Sequence, residues 1–173
     1  MIRIKNKKKY GQHFLNNEEV AVRIVNLLSE KSNIIEIGPG KGVLTKYLLN
    51  KKIDNFIVNE IDNDCILYLK EHFPNNLKII HENVLNIDFS LLFKSKFSII
   101  SNLPYSKINK VFDHSTKIAQ KGIAYLIGVM NLTPKRIKML EDRGFGITHM
   151  HLCQVTGWFG KSLFFIAEKI YFE

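Results

Sequence analysis

Two cysteines and one tryptophan in 173 residues leave little material for a disulfide framework. Cys65 and Cys153 are far apart and lie in no CxxC spacing, which argues against a cysteine metal site and makes a reducing cytoplasm the expected compartment. Long apolar runs are missing too. None approaches the roughly 20 residues of a membrane span, and the basic start MIRIKNKKKY has no apolar stretch behind it, so neither a membrane partner nor a secretory signal is expected. Acid is in short supply: 16 Asp plus Glu stand against 25 Lys plus Arg, a formal charge of +9, and a polyanion is the natural partner of such a surface. Charge does not separate RNA from DNA. His149 and His151 alternate along one strand-like run without a third ligand, so no metal is expected.

What is present fits one ordinary domain, residues 1–173, with a basic N-terminal arm over about residues 1–17. Arg3, Lys5, Lys7, Lys8 and Lys9 precede every acidic residue. They read as an arm whose Lys7, Lys8 and Lys9 contact phosphates, or else as a solvated tail. Glu18 to Leu28 has the three-and-four apolar spacing of an amphipathic helix, and Asn33 to Gly38 is a short apolar run ending in glycines, a buried strand. Helical patterns follow over 42–52, 63–72 and 107–119, alternating with strand patterns over 55–62, 77–81, 97–101 and 124–130. Such alternation predicts an α/β fold around a mostly parallel sheet with helices on both faces. A last helix is expected from Pro134 to Arg143, and then two strand-like runs, ITHMHLCQV and LFFIAEKIYF, joined by TGWFGKS, predict an antiparallel hairpin at one side of the sheet. In that link, Trp158 and Phe159 beside Lys161 either stack on a base or pack the hairpin against the sheet.

EIGPGKG, Glu36 to Gly42, falls between a strand and a helix, where glycines let the backbone approach a ligand. It lacks the GK[ST] ending of a Walker loop. About 20 residues on, at the end of the next strand, Glu60 is placed to accept hydrogen bonds from both ribose hydroxyls of an adenosine cofactor; Asp62 can fill that place instead, and one of the two can simply cap the following helix. The turn suits a dinucleotide or S-adenosylmethionine. SNLPY, Ser101 to Tyr105, decides between them. The exocyclic amine of adenine is a poor nucleophile because its lone pair is delocalised into the ring. The Asn102 side-chain oxygen and a backbone carbonyl near Leu103 and Pro104 can hold its two hydrogens and favour a tetrahedral nitrogen, while Tyr105 offers a face to an unstacked base. An ordinary Asn-Pro turn is the alternative.

GQHFLNN, EIGPGKGVLT, NEID and SNLPY, in this order and spacing, resemble the ribosomal RNA adenine N6-dimethyltransferases, the family of the small-subunit dimethyladenosine transferases and the macrolide-resistance methylases. The resemblance covers roughly the first 105 residues. It implies a Rossmann-like S-adenosylmethionine-dependent methyltransferase fold and a cytoplasmic, monomeric enzyme of rRNA processing that methylates adenine N6 in RNA. It implies cofactor contacts from Gln12, His13, Leu15, Gly38, Gly40 and Glu60, and an active site of Asn102, Leu103, Pro104 and Tyr105, with Asn102 also touching the cofactor. Asn83 stands where the family usually has an aspartate against the cofactor adenine, and an amide can still accept from the adenine amine. Two features depart further. The run Ser106-Lys107-Ile108-Asn109 replaces an Asn-Ile-Ser-like sequence, and the chain stops at Glu173 where the family carries a small helical RNA-holding domain, so a catalytic domain alone is expected. The rivals are a DNA adenine N6-methyltransferase and a noncatalytic nucleic-acid-binding relative of the transcription-factor kind.

Overall fold

A computed structural model describes residues 7, 10, 12–29, 33–103, 105–155 and 160–170. Its sheet has seven strands: β1 (Asn33–Ile37), β2 (Asn55–Glu60), β3 (Lys78–His81), β4 (Phe97–Asn102), β5 (Gly122–Gly128), β6 (Phe145–Cys153) and β7 (Ser162–Lys169). The spatial order is β3-β2-β1-β4-β5-β7-β6. β1 to β5 pair in parallel, while β7 pairs antiparallel with both β5 and β6, so the predicted α/β architecture and its antiparallel hairpin are both present. All five residues of β1 are buried, as a central parallel strand covered on both faces requires.

Side chains alternate between two cores. Ile35, Ile99, Tyr125 and Phe165 point to one face, where they meet Phe112 of α4 (Ile108–Ile118) and Leu140 of α5 (Pro134–Asp142). Ile34, Ile100, Leu126 and Phe164 point to the other, against Val20, Ile24 and Val25 of α1 (Glu18–Leu27) and Leu44 and Leu48 of α2 (Val43–Leu48). Helix starts follow the local chemistry. The Asn17 side chain accepts from Val20 N at 3.0 Å to cap α1, the Asp62 carboxylate accepts from Asp64 N at 3.1 Å to cap α3 (Asn63–His72), and Pro134 begins α5 where its missing N–H costs nothing.

Some boundaries differ from expectation. The helical pattern over 42–52 yields only Val43–Leu48, because the chain turns after Leu49 with Lys51 N bonded to Leu48 O. The strand pattern over 124–130 also ends early. Val129 donates to Lys161 O at 3.1 Å and opens a one-turn 3₁₀ helix, Val129–Asn131, so the apolar Val129 and Met130 lie beyond β5. Among the described residues no helix is long and apolar enough to cross a membrane.

Candidate cofactor and active site

Between β1 and β4 the strand order reverses: β2 lies on one side of β1 and β4 on the other, each reached by a crossover. Beyond the carboxyl ends of such strands the flanking loops diverge and leave a crevice. Here it is a cavity of about 380 Å³. Its lining draws together Gln12, His13, Leu15, Gly38, Gly40, Glu60, Asn83 and Asn102, residues scattered over ninety positions of the sequence. Lys8, Lys9, Pro104, Trp158 and Phe159 lie outside the described residues.

The glycine turn is built on left-handed backbone, with φ of 67° at Gly38, 58° at Gly40 and 74° at Gly42. Each glycine has its own reason. A Cβ at Gly38 would stand in open space, with nothing within 4 Å, so the backbone is bared to whatever enters the cavity. A Cβ at Gly40 would come 2.7 Å from the Phe14 ring, and one at Gly42 would overlap the Phe73 ring. The last two glycines therefore make room for packing.

Glu60 ties this turn to the end of β2. One carboxylate oxygen, Oε2, accepts from Gly40 N at 3.1 Å, and the other, Oε1, accepts from Ile61 N at 2.8 Å and Asp62 N at 2.9 Å. Burial pushes its carboxyl above the ordinary glutamate value, while these backbone donors pull the other way. A carboxylate offers about four lone-pair positions, so one, on Oε2, is left for a ligand. Asp62, the alternative acid, is spent as the α3 cap and as the acceptor of Gln12 Nε2 at 2.7 Å and of the Lys7 ammonium. Burial raises its carboxyl, and the bonds from Lys7 and Gln12 outweigh burial, leaving it below the ordinary aspartate value.

Lys7, expected on a phosphate or in a solvated tail, pairs with two acids of the fold. Its ammonium bridges Asp62 and Asp64, the latter at 2.7 Å, and its backbone N–H donates to Gln12 Oε1 at 2.8 Å. Gln12 is correspondingly a clamp, holding the N-terminal segment across the start of α3 with both ends of its amide. The segment then lays His13 over the carboxyl end of β4. Asn102 Nδ2 donates to His13 O at 2.8 Å, and the His13 and Tyr105 rings lie 5.2 Å apart. With Nδ2 committed, Oδ1 is the Asn102 atom left to accept. Leu103, 1% exposed, is pinned by its N–H to Leu126 O at 3.2 Å.

Asn83 reaches the cavity but is partly occupied, its Oδ1 accepting from Leu85 N at 3.2 Å. Asn59, buried at the end of β2, positions that loop by donating to Ile80 O at 3.2 Å and Glu82 O at 2.9 Å. Residue-by-residue reading missed Phe14, Glu36, Lys107 and Lys110 in the lining, although Phe14 and Glu36 lie inside the motifs that define the site.

Glu36 has a pH consequence. Burial, against a hydrogen bond from Thr45 Oγ1 at 2.7 Å and with the neighbouring Glu60 charge adding to it, pushes its carboxyl from 4.5 up to about 8. The unfolded chain releases this proton near 4.5 and the folded chain near 8, so stability from this group is undiminished below 4.5, declines as pH rises through the window, and levels off above 8. Glu36→Gln keeps an acceptor for Thr45 and has no proton to release. The Tm of the variant is expected to gain on that of the native protein across the window; parallel Tm profiles would show that Glu36 is already ionised in the fold.

Comparison with known proteins gives the arrangement a lineage. A small-subunit ribosomal RNA methyltransferase A from Mycoplasma mycoides is 43% identical over 123 residues, which are 67% of this chain and 46% of that protein. The chain thus spans about half the length of this curated relative. Among solved structures, the 23S rRNA methyltransferase ErmE superposes with a TM-score of 0.67 at 15% identity, over 91% of this chain and 70% of that one. A magnesium protoporphyrin IX methyltransferase from Synechocystis, solved with bound S-adenosylmethionine, gives a TM-score of 0.67 at 14% identity, over 93% of this chain and 88% of that one. These likenesses show the Rossmann-like methyltransferase fold. The family model described as ribosomal RNA adenine dimethylase matches residues 3–151, well past the 105 residues that carry the motifs, and the chain belongs to that family.

Proposed function

We propose that this chain is the catalytic domain of a methyltransferase that uses S-adenosylmethionine to methylate the N6 amine of adenine in RNA, with ribosomal RNA as the substrate. The observation that carries it is the Asn102 amide, fixed by the His13 carbonyl so that Oδ1 remains to accept, at the edge of a cavity that the glycine turn and Glu60 also line. The cofactor fits what is there. The open space at Gly38 admits it along the backbone, the spare Oε2 position of Glu60 suits one ribose hydroxyl, and Asn83 stands at the loop where an adenine would lie. When bound, the cofactor supplies a methyl group activated by its sulfonium.

The chain's own residues then have two tasks. Asn102 Oδ1 takes one amine hydrogen and the backbone beside Leu103 takes the other. Holding both hydrogens out of the ring plane returns the lone pair to nitrogen and orients it, without any protein nucleophile. Tyr105, half-buried and braced by His13, provides the ring against which the base rests. The RNA substrates named for the family and its relatives favour RNA over DNA.

The test is transfer of a tritiated methyl group to unmethylated small ribosomal subunits, naked rRNA and DNA. Label in the rRNA of either preparation is expected. Label in DNA alone would establish the DNA methyltransferase reading, and cofactor binding with no transfer to any substrate would make the chain a binding protein.

A further inference from the structure

We propose that Lys107 and Lys110 form a clamp for the RNA phosphates that flank the target adenine. The inference rests on the RNA reading above and names the residues by which the site grips its substrate. Lys107 is the N-cap of α4 and Lys110 stands three residues on, so the two share a helix face. Both are exposed, and both line the cavity that Asn102 lines.

Folding gives them no reason to be there. The first turn of a helix is the positive end of its dipole and favours acids, yet α4 has no acidic residue in that turn, and the Lys107 side chain makes no capping bond. Among the described residues neither ammonium has a carboxylate partner, whereas Lys117 in the last turn of the same helix pairs with Asp113 at 2.7 Å. Other charges near the cavity are engaged. Lys7 is held by Asp62 and Asp64, Lys41 lies over the Phe14 ring at 5.4 Å, and Glu82 accepts from Asn83 N at 2.6 Å and Asn86 Nδ2 at 3.2 Å.

Two unneutralised cations on one rim ask for an anion. The cofactor is a poor candidate, because its sulfonium and ammonium exceed its single carboxylate and leave it net positive. A nucleotide presenting its base to Asn102 instead brings a phosphate on either side of its ribose. Lysines on one helix face can meet both, and this contact carries no base preference, so it holds the strand while Asn102 reads the amine. The charges expected on the N-terminal arm at Lys7 are thus supplied from α4.

The experiment measures the affinity of a short single-stranded, adenosine-containing RNA across a salt series for native protein, Lys107→Gln/Lys110→Gln and Lys107→Arg/Lys110→Arg, with S-adenosylmethionine affinity measured on each by calorimetry. The Gln pair is expected to lower the slope of log affinity against log salt by about 1.4 units, at roughly 0.7 per phosphate contact on a single strand, with cofactor affinity unchanged. The Arg pair should restore the slope. An unchanged slope in the Gln pair overturns the clamp, and weakened cofactor binding at an unchanged slope overturns it in favour of a cofactor contact. Native protein that shows the full slope yet transfers no methyl group overturns the proposed reaction and leaves the clamp standing.

Discussion

Asn102→Ala lowers methyl transfer by about two to three orders of magnitude while S-adenosylmethionine affinity stays within about threefold of native, the pattern expected when a preorganised polar partner of the transition state is removed. The reasoning is geometric. Nδ2 is spent on the His13 carbonyl, so the side chain cannot rotate its oxygen away without losing that bond, and Oδ1 waits in the position where it helps only once an amine arrives. Alanine removes the acceptor and releases His13, whose ring braces Tyr105. Single-turnover rates with saturating RNA, beside calorimetric cofactor binding, separate the two effects. Near-native transfer by the variant would remove Asn102 from the chemistry.

Glu60→Gln acts on the other half of the site. It is expected to weaken S-adenosylmethionine and its demethylated product alike by about 1.5–3 kcal/mol, or roughly ten- to a hundredfold. The carboxylate holds three backbone N–H groups at once, and an amide offers only one oxygen. Its NH₂ must then face either Gly40 N or the Ile61 and Asp62 pair, so a donor inside a nearly buried site loses its acceptor and the glycine turn loses its tie to β2. The equal loss for both ligands is the diagnostic feature, since neither the turn nor the ribose contact senses the methyl group. Calorimetry on both ligands checks it, and unchanged affinities would mean that Glu60 serves only the fold.

Most of the architecture was legible because parallel strands buried on both faces are short apolar runs ended by glycine or polar residues, as Asn33 to Gly38 is. The end of β5 was not. Val129 and Met130 continue the apolar pattern, and the strand gives way to a 3₁₀ turn closed by Leu132 N on Val129 O. In the site, motif spacing identified the glycines, Glu60 and Asn102 but not how their hydrogen bonds are shared out. Glu60 and Asp62 are two positions apart on equally plausible chemistry. Their roles separate because Lys7 and Gln12 fold back onto Asp62 from fifty residues away, a contact with no local signature. For the same reason the pairing of Lys7 with Asp62 and Asp64 had no local signal, and Lys107 and Lys110, which the motifs did not single out as site residues, reach the cavity rim only through the fold.

In the proposed reaction Asn102 receives the amine of adenine. Nucleoside analysis of RNA labelled by the native protein tests it most directly: small-subunit rRNA is incubated with methyl-labelled S-adenosylmethionine, digested to nucleosides and resolved by mass spectrometry. Label is expected in N6-methylated adenosine, and reduced by about two to three orders of magnitude when Asn102→Ala replaces the native protein. Label in any other nucleoside, or label that persists undiminished in the variant, would contradict it.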